Sequence, residues 1–436
     1  MSREEIGEIY EKLLARDYAR VLFADLAELK PSGRGYMARC PFHADKSPSF
    51  SISTDRPVYH CFGCDRRGDW LTYIQEREGL SFPEALDRLA KEAGVELQGR
   101  PDPEAWARER SRADLLERAL KYFQEALFMG KGKETLDYLT ARGYAAGEIK
   151  RMELGHYPGG TETAEFFKTL NAKDAGDLFP YLKWRDDYKA IIPYRDPLGN
   201  VKSLWGRLTR PLNAGEKEAD KYKPHAGDAA KSTPFNLDRA KRSAKFRDFG
   251  ELLAVEGYFD ALAVREKSGL DNVIALGGSS ITAEQLETFR KYKARAIVLA
   301  LDGDKAGQAG TERALEQLAK PNIKAYVLEL PEGLDPDGFI KGHGAEAFAG
   351  LYADPKSGFK WRTRRIVEEY RNAQSDPERD RAKEKLVNLG ATVDPLDVLE
   401  IAKALQALGV SLDEASEWLD NIQKKAARGR HRAAEY

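Results

Sequence analysis

Three observations predict a multidomain chain of mixed α+β and α/β class. The chain has 436 residues, 42% of them hydrophobic, which is enough for two or three cores rather than one. Its three cysteines, Cys40, Cys61 and Cys64, all lie within 25 residues of one another. Between residues 252 and 330, short apolar runs alternate with helical stretches, the pattern of a parallel sheet covered on both faces. The expected order is a small ribbon domain over 1–97, a linker over 98–112, a core with an N-terminal lobe over 113–248 and an α/β lobe over 249–345, and a helical C-terminal region over 346–436.

The elements follow in order. Ile6, Ile9, Leu13 and Leu14 recur at helical spacing, and a second short helix carries Val21, Leu22 and Leu26 before Pro31-Ser-Gly-Arg-Gly ends it. Strand-like pieces then cover Gly35 to Arg39, Ser49 to Ser53 and Val58 to His60. Two helices follow, the second opened by a capping box at Ser81 and Glu84 and closed by Gly94. Residues 98–112 are polar and carry two prolines, so the first domain is expected to be tethered. A mainly helical stretch to about residue 150 leads to strand candidates at Lys189 to Tyr194 and Val201 to Leu204, then to a polar loop over 211–234. Parallel strands are expected at Leu252 to Val255, Asn272 to Leu276, Ala296 to Leu301 and Ala325 to Leu330. Beyond Pro355 the pattern is amphipathic helix broken at Pro377 and Pro395, ending in a basic tail from Lys424 to Arg432.

Composition excludes several classes. The 70 Lys and Arg against 71 Asp and Glu give a net charge of −1, so any nucleic-acid footprint is local rather than a basic coat. No apolar stretch approaches the roughly 20 residues that span a bilayer, and Met1-Ser-Arg-Glu-Glu does not begin a secretory signal. A cytoplasmic address without membrane attachment is expected. There is neither an internal repeat nor a Walker A sequence.

Cys40-Pro-Phe-His43 and Cys61-Phe-Gly-Cys64 are two ligand pairs separated by 17 residues. Each pair spans a tight turn after a strand, which suits a closed tetrahedral zinc site of three thiolates and one imidazole. His60 competes with His43 for the fourth corner, but next to Cys61 it points to the other strand face. Phe42, Phe50, Tyr59, Phe62 and Trp70 surround this set together with Arg34, Lys46, Arg66 and Arg67. Aromatic and basic residues interleaved on a small sheet can bind single-stranded nucleic acid. Phe42 and Phe62 are read as miniature core, and Arg34 and Lys46 as phosphate contacts.

Each apolar run of the α/β segment ends in acid or glycine: Glu256-Gly257, Gly277-Gly-Ser-Ser280, Asp302-Gly-Asp304, and Asp335-Pro-Asp337 shortly after the last. The carboxyl ends of parallel strands form the binding crevice of an open sheet. Glu256, Asp302, Asp304, Asp335 and Asp337 should therefore converge and take up Mg²⁺ or Mn²⁺, two or more ions, suited to phosphoryl displacement. Gly303, Gly307 and Gly310 around Lys305 could let backbone approach a phosphate. Between 201 and 247, Lys202, Arg207, Arg210, Lys221, Lys223, Lys231 and Arg239 form a basic patch for phosphate backbone or triphosphate.

These motifs resemble the bacterial replicative (DnaG-type) DNA primase family. Cys40-Pro-Phe-His43, Lys46-Ser-Pro-Ser-Phe50, Tyr59-His-Cys-Phe-Gly-Cys64 and Gly79-Leu-Ser-Phe-Pro-Glu-Ala85 resemble its zinc domain. Tyr138-Leu-Thr-Ala-Arg-Gly143 and Leu154-Gly-His-Tyr-Pro158 resemble the start of its polymerase domain. Val255-Glu-Gly-Tyr-Phe-Asp260, Leu301-Asp-Gly-Asp-Lys-Ala-Gly307 and Leu330-Pro-Glu-Gly-Leu-Asp-Pro-Asp337 resemble its TOPRIM motifs. The resemblance covers roughly residues 1–350. It implies a nucleotidyltransferase that lays short RNA primers de novo on a single-stranded DNA template from ribonucleoside triphosphates. Glu256, Asp302 and Asp304 are then catalytic, Glu256 also a candidate base, and Asp335 and Asp337 further metal ligands. Arg207, Lys221 and Lys305 are expected at the nucleotide, and Arg142 with Arg34 and Lys46 at the template.

Two departures stand out. The family usually has lysine where this chain has Leu237, with Arg239 or Lys241 as substitutes, and an insertion around Leu212 to Asp228 obscures Lys221. The family also continues into a helical domain that binds the replicative helicase, so this chain reads as a shortened version or as a variant from a phage or mobile element. Two rival functions use part of these features. A TOPRIM nuclease would need the acids but not the ribbon, and a non-catalytic single-strand binding module would need the ribbon but not the acids.

Overall fold

The computed structural model describes residues 3–97, 103–170, 187–217, 221–224, 233–319, 323–390 and 404. The chain divides into two compact units, Met1–Ala229 and Ala230–Tyr436.

The first unit begins with helices Arg3–Leu14 and Tyr18–Leu22. An antiparallel sheet follows in sequence order, β1 (Lys30–Pro31), β2 (Gly35–Ala38), β3 (Phe50–Ser53), β4 (Val58–Cys61) and β5 (Arg67–Asp69). Helices Trp70–Glu78 and Phe82–Ala93 complete it. Alternation sets the faces: Phe50 and Ile52 of β3 and Tyr59 and Cys61 of β4 are buried, while their neighbours are half-exposed. Phe50 stacks on Tyr59 at 4.9 Å between ring centroids, and Phe23 lies 4.3 Å from Tyr73, so aromatic area supplies much of a small core. The Glu84 carboxylate accepts from the Ser81 N–H at 2.8 Å, and Gly94 closes the helix with φ +64°. Val21, expected on an apolar helix face, is instead 64% exposed; the helix is only five residues long and buries Tyr18, Ala19 and Leu22.

The polar stretch expected as a linker is helical from Pro103, the first residue of helix Pro103–Phe128. Proline costs nothing at that position, where its missing N–H has no helical partner, so the residue type read as a breaker also starts a helix. This helix packs on an antiparallel sheet of β6 (Gly155–His156), β7 (Ala190–Arg195), β8 (Val201–Arg207) and β9 (Tyr222–Pro224), burying Phe123, Tyr157, Ile191 and Leu204. Strand β9 lies inside the segment read as a polar loop. The ribbon also touches this lobe directly. Leu198 packs against the ribbon's core, and Arg67 and Arg56 reach Asp114 and Glu117 at 3.4 and 3.5 Å.

In the second unit a sheet runs in the order β11-β10-β12-β13-β14, with β10 (Glu251–Val255), β11 (Val273–Ala275), β12 (Ala296–Leu299) and β13 (Lys324–Val327) parallel. Apolar side chains on successive positions bury all four residues of β12, as a strand covered on both faces requires. The C-terminal region is not all helix, because β14 (Lys356–Ser357) pairs antiparallel with β13 at the sheet's edge. Helix Gly358–Asn372 then returns Trp361 to the core. The unit begins upstream of the expected boundary at 249: Phe235 bridges Ala275, and Leu237 is buried in the same core as Leu252 and Ile274. Leu237 is thus a packing residue. The basic tail from Lys424 to Arg432 lies outside the described residues, as does Lys231.

Candidate functional site

Two tight turns bring Cys40, His43, Cys61 and Cys64 together, with all four ligand atoms within 4.8 Å of one another. Cys40 Sγ and Cys64 Sγ are 4.0 Å apart, and Cys61 Sγ is 3.8 Å from His43 Nδ1. A tetrahedron with zinc–sulfur bonds of about 2.3 Å has edges of about 3.8 Å, so the donor set fits zinc. Burial pushes the Cys40 thiol up to about 12. Cys61, although burial raises it, is brought below its ordinary value by hydrogen bonds from Ser49 and the amides of Cys64 and Gly63. His60 stands outside the group, its Nε2 2.8 Å from Asp65. A Cβ on Gly63 would come within 2.9 Å of His43 Nε2, which explains the glycine in the second turn. Sequence reasoning missed Asp45. Its carboxylate accepts from the Cys40 N–H at 2.9 Å and the Ser49 hydroxyl at 2.7 Å, tying the first turn to β3.

Phe62 departs from its expected place in the core. It is 69% exposed on the second turn, with its ring 4.6 Å from His60, whereas Phe50, Tyr59 and Trp70 are buried. Phe42 is half-buried and carries the Arg66 guanidinium 4.8 Å above its ring. Arg34 and Lys46 are exposed on different loops of the ribbon.

The acidic edge is built by parallel pairing. Because β10 and β12 are neighbours in parallel register, the residues following them leave the sheet at the same edge. The Asp302 N–H donates to Glu256 Oε1 at 3.1 Å. The Gly303 N–H donates to the Leu334 carbonyl at 2.9 Å, drawing in the loop that carries Asp335. Asp335 caps helix Pro336–His343 by accepting from the Gly338 N–H at 2.6 Å, and Lys341 pairs with Asp337 at 2.6 Å. Asp304 accepts from the Gly307 N–H at 2.8 Å, and Lys305 is exposed at the start of helix Lys305–Ala319.

The edge contains a sixth carboxylate that sequence reasoning passed over. Asp260, in the first turn of helix Tyr258–Ser268, accepts from the Asp337 N–H and the Gly257 N–H, each at 3.2 Å. Burial, with the charges of Asp335, Asp302 and Asp337, pushes Asp260 up to about 8. Burial also raises Glu256, reinforced by the Asp304 charge and opposed by the Asp302 N–H. Carboxylates crowded in this way form an oxygen-donor set suited to a hard divalent cation. Among the described residues the Cys/His group is nevertheless the one drawn tight enough to enclose an ion by itself.

Gly303, Gly307 and Gly310 do not hold open a phosphate cradle. An added Cβ would come within 2.1 Å of the Pro331 carbonyl oxygen at Gly303, 2.1 Å of the Asp302 oxygen at Gly307 and 2.2 Å of the Ser279 oxygen at Gly310. These glycines admit the protein's own backbone.

In the first unit, Arg142 and Arg207 meet at Tyr138. Arg207 Nε donates to the Tyr138 hydroxyl at 3.2 Å and Arg142 Nη1 donates to it at 3.4 Å. Arg207 lies 4.4 Å from the Tyr222 ring centroid, and β8–β9 pairing sets Arg207 opposite Tyr222, next to Lys221. Three of the expected basic residues therefore share one patch. Arg210 is held elsewhere, bridging Asp187 and Glu216.

Comparison with known proteins follows the same division. Residues 7–104 match the family model described as the CHC2 zinc finger, and residues 253–340 the one described as Toprim-like. A DNA primase of Enterococcus faecalis is 30% identical over 97% of this chain and 71% of that protein. A DNA primase of Geobacillus stearothermophilus is 31% identical over 94% of this chain and 70% of that protein. The crystal structure of the zinc-binding and RNA polymerase domains of Aquifex aeolicus primase superposes with a TM-score of 0.60. It is 25% identical, covering 97% of this chain and 99% of that one.

Proposed function

The chain belongs to the bacterial DnaG-type DNA primase family, and on that premise we propose that it makes short RNA primers de novo on single-stranded DNA, by nucleotidyl transfer at the acidic edge. The observation that carries this reading is the interlocked carboxylate cluster. Glu256, just after β10, accepts from the backbone N–H of Asp302, beyond the end of the adjacent parallel β12, and Asp260 accepts from the backbone N–H of Asp337. Glu256, Asp302, Asp304, Asp335 and Asp337 are the residues that would hold magnesium or manganese. Such cations, when bound, supply Lewis-acid stabilisation of phosphoryl oxygens and of an attacking hydroxyl.

The chain's own residues do the remaining work. Glu256 stands at the strand end as the candidate base for the 3′-hydroxyl proton. Lys305 and Lys221 supply charge for the triphosphate, while Arg142 and Arg207 hold phosphate of the template or the incoming nucleotide. The zinc ribbon, with ligands Cys40, His43, Cys61 and Cys64, presents Arg34 and Lys46 to the template. A replicative helicase is the partner that family membership implies. No described helix is long and apolar enough to cross a membrane.

The test is template-directed synthesis from labelled ribonucleotides on mixed-sequence single-stranded DNA with Mg²⁺ or Mn²⁺, beside an Asp302→Ala/Asp304→Ala control. Short RNA that disappears in the control supports the reading. Binding or cleavage of DNA without RNA synthesis overturns it.

A further inference from the structure

A cation is clamped to one side of the acidic edge. Arg313 lies in helix Lys305–Ala319, which starts directly after Asp304. Gly310, Arg313 and Gln317 fall on one face of that helix, and all three meet the loop that follows β11. A Cβ at Gly310 would lie 2.2 Å from the Ser279 carbonyl oxygen, so the loop backbone rests directly on the helix there. Arg313 Nη2 donates to Ser279 Oγ at 3.4 Å, and Gln317 Nε2 donates to the Ile281 carbonyl at 2.9 Å. The loop is also held at its start, where the Gly277 N–H donates to the Glu256 carbonyl at 2.9 Å. Because β10 and β11 pair in parallel, this loop leaves the sheet beside Glu256.

The clamp fixes where the guanidinium stands. Side chains of a helix lean toward its N-terminus, here toward Asp302 and Asp304. Burial raises the Glu256 carboxyl, and the Arg313 charge, together with the Asp302 N–H, draws it back. A dication entering among Glu256, Asp302 and Asp304 therefore meets carboxylates that attract it and a guanidinium that repels it.

We propose that Arg313 is a positioning residue that serves the acidic edge as a resident counter-charge. It steadies the carboxylates while no divalent cation is bound and loosens their hold on one that is. This rests on the reading that the edge takes up Mg²⁺ or Mn²⁺. Without such a charge the crowded carboxylates would hold a dication more tightly, and the ion would exchange more slowly between rounds of nucleotide addition.

The experiment measures Mn²⁺ binding to the zinc-loaded full chain, at low ionic strength and without nucleotide, by the loss of the free-ion electron paramagnetic resonance signal. The Asp302→Ala/Asp304→Ala chain supplies the background. Arg313→Gln removes the charge and keeps a donor for Ser279. It should tighten Mn²⁺ binding by about 3- to 7-fold, the scale of one unit charge acting on a dication across about 10 Å of wet surface, and added salt should shrink the difference. Without Mn²⁺ it should melt below the parent chain, and saturating Mn²⁺ should close the gap. Arg313→Lys keeps the charge and should bind Mn²⁺ within about 1.5-fold of the parent chain.

Unchanged or weaker Mn²⁺ binding by Arg313→Gln overturns the proposal, as does equal tightening by Arg313→Lys. Equal melting of Arg313→Gln and the parent chain without Mn²⁺ overturns the steadying role. A raised KM for ribonucleoside triphosphate at unchanged Mn²⁺ affinity overturns the counter-charge and makes Arg313 a substrate contact instead. If the background chain binds as much Mn²⁺ as the parent chain, the metal reading beneath the proposal fails first.

Discussion

The Cys/His centre and the acidic edge both collect donors from separated segments, but they hold them differently. In the ribbon, four donor atoms lie within 4.8 Å of one another, two of the cysteines are buried, and Gly63 leaves just enough room for the His43 ring. At the edge, Glu256 and Asp260 accept from the backbone N–H groups of Asp302 and Asp337 on neighbouring segments, while Asp304 and Asp335 accept from N–H groups three residues further along their own segments and remain exposed. The first arrangement closes around its ion and excludes substrate, as a structural site does. The second keeps open the positions that reacting oxygens would need, at the cost of carboxylate repulsion.

The sharpest way to break this contrast is to remove acids and metal in turn. Asp302→Ala/Asp304→Ala should lower primer synthesis by on the order of a thousandfold or more, while the zinc content, read by metal analysis, stays at its original value. Chelation of zinc, or Cys61→Ser, should unfold residues of the ribbon, since metal binding contributes about 10 kcal/mol or more to small zinc domains. Hydrogen exchange should then show new opening in β2 to β4 and none in β10 to β13. Simultaneous collapse of the Toprim sheet would mean that the two regions are not independent.

Gly303→Ala probes the edge more gently. The new Cβ would meet the Pro331 carbonyl oxygen at 2.1 Å, so the loops bearing Asp302 and Asp335 must part. A misplacement of this kind costs roughly a hundredfold in rate, with the ribbon and overall circular dichroism unaffected.

Opposite pH signs sharpen the comparison further. Asp260 is raised from 3.8 to about 8, so the folded state retains a proton that the unfolded chain releases. In the absence of divalent cation, stability should fall as pH rises through that window. Asp260→Asn should flatten the denaturation profile there. The ribbon should respond the other way, releasing zinc as acid competes for its thiolates and imidazole. The smallest expected effect is local to the ribbon. Asp69 Oδ1 accepts from the Thr72 N–H at 2.8 Å, and Asp69→Ala should cost about 1 kcal/mol of stability in denaturant titration, with synthesis retained.

Much of the site was readable because its signals are local. Two-residue spacing across a tight turn needs no tertiary knowledge to suggest a metal knuckle, and acids directly after apolar runs follow from the topology of parallel sheets. Asp260 escaped notice because its partner is Asp337, 77 residues away, and because one acid in a helix's first turn ordinarily serves only as a cap. Phe62 was misplaced because hydrophobicity does not say whether a knuckle tip faces the core. The glycines around Lys305 were misread because a close-approach residue in a sequence does not name what approaches. At Leu237, a departure from the family pattern proved to be a packing residue.

The sequence alone determined the succession of a zinc ribbon and a Toprim-like α/β segment, the four-residue Cys/His set, and the carboxylates at successive strand ends, since each depends on spacing along one or two adjoining elements. Tertiary structure decided which side chains share an environment. It joined Arg142 to Arg207 through Tyr138, set Asp260 against Asp337, and returned β14 and Trp361 to the sheet. The physical reason is range: periodicity and turn chemistry act over a few residues, whereas burial and charge crowding depend on every segment that folding brings within a few ångströms.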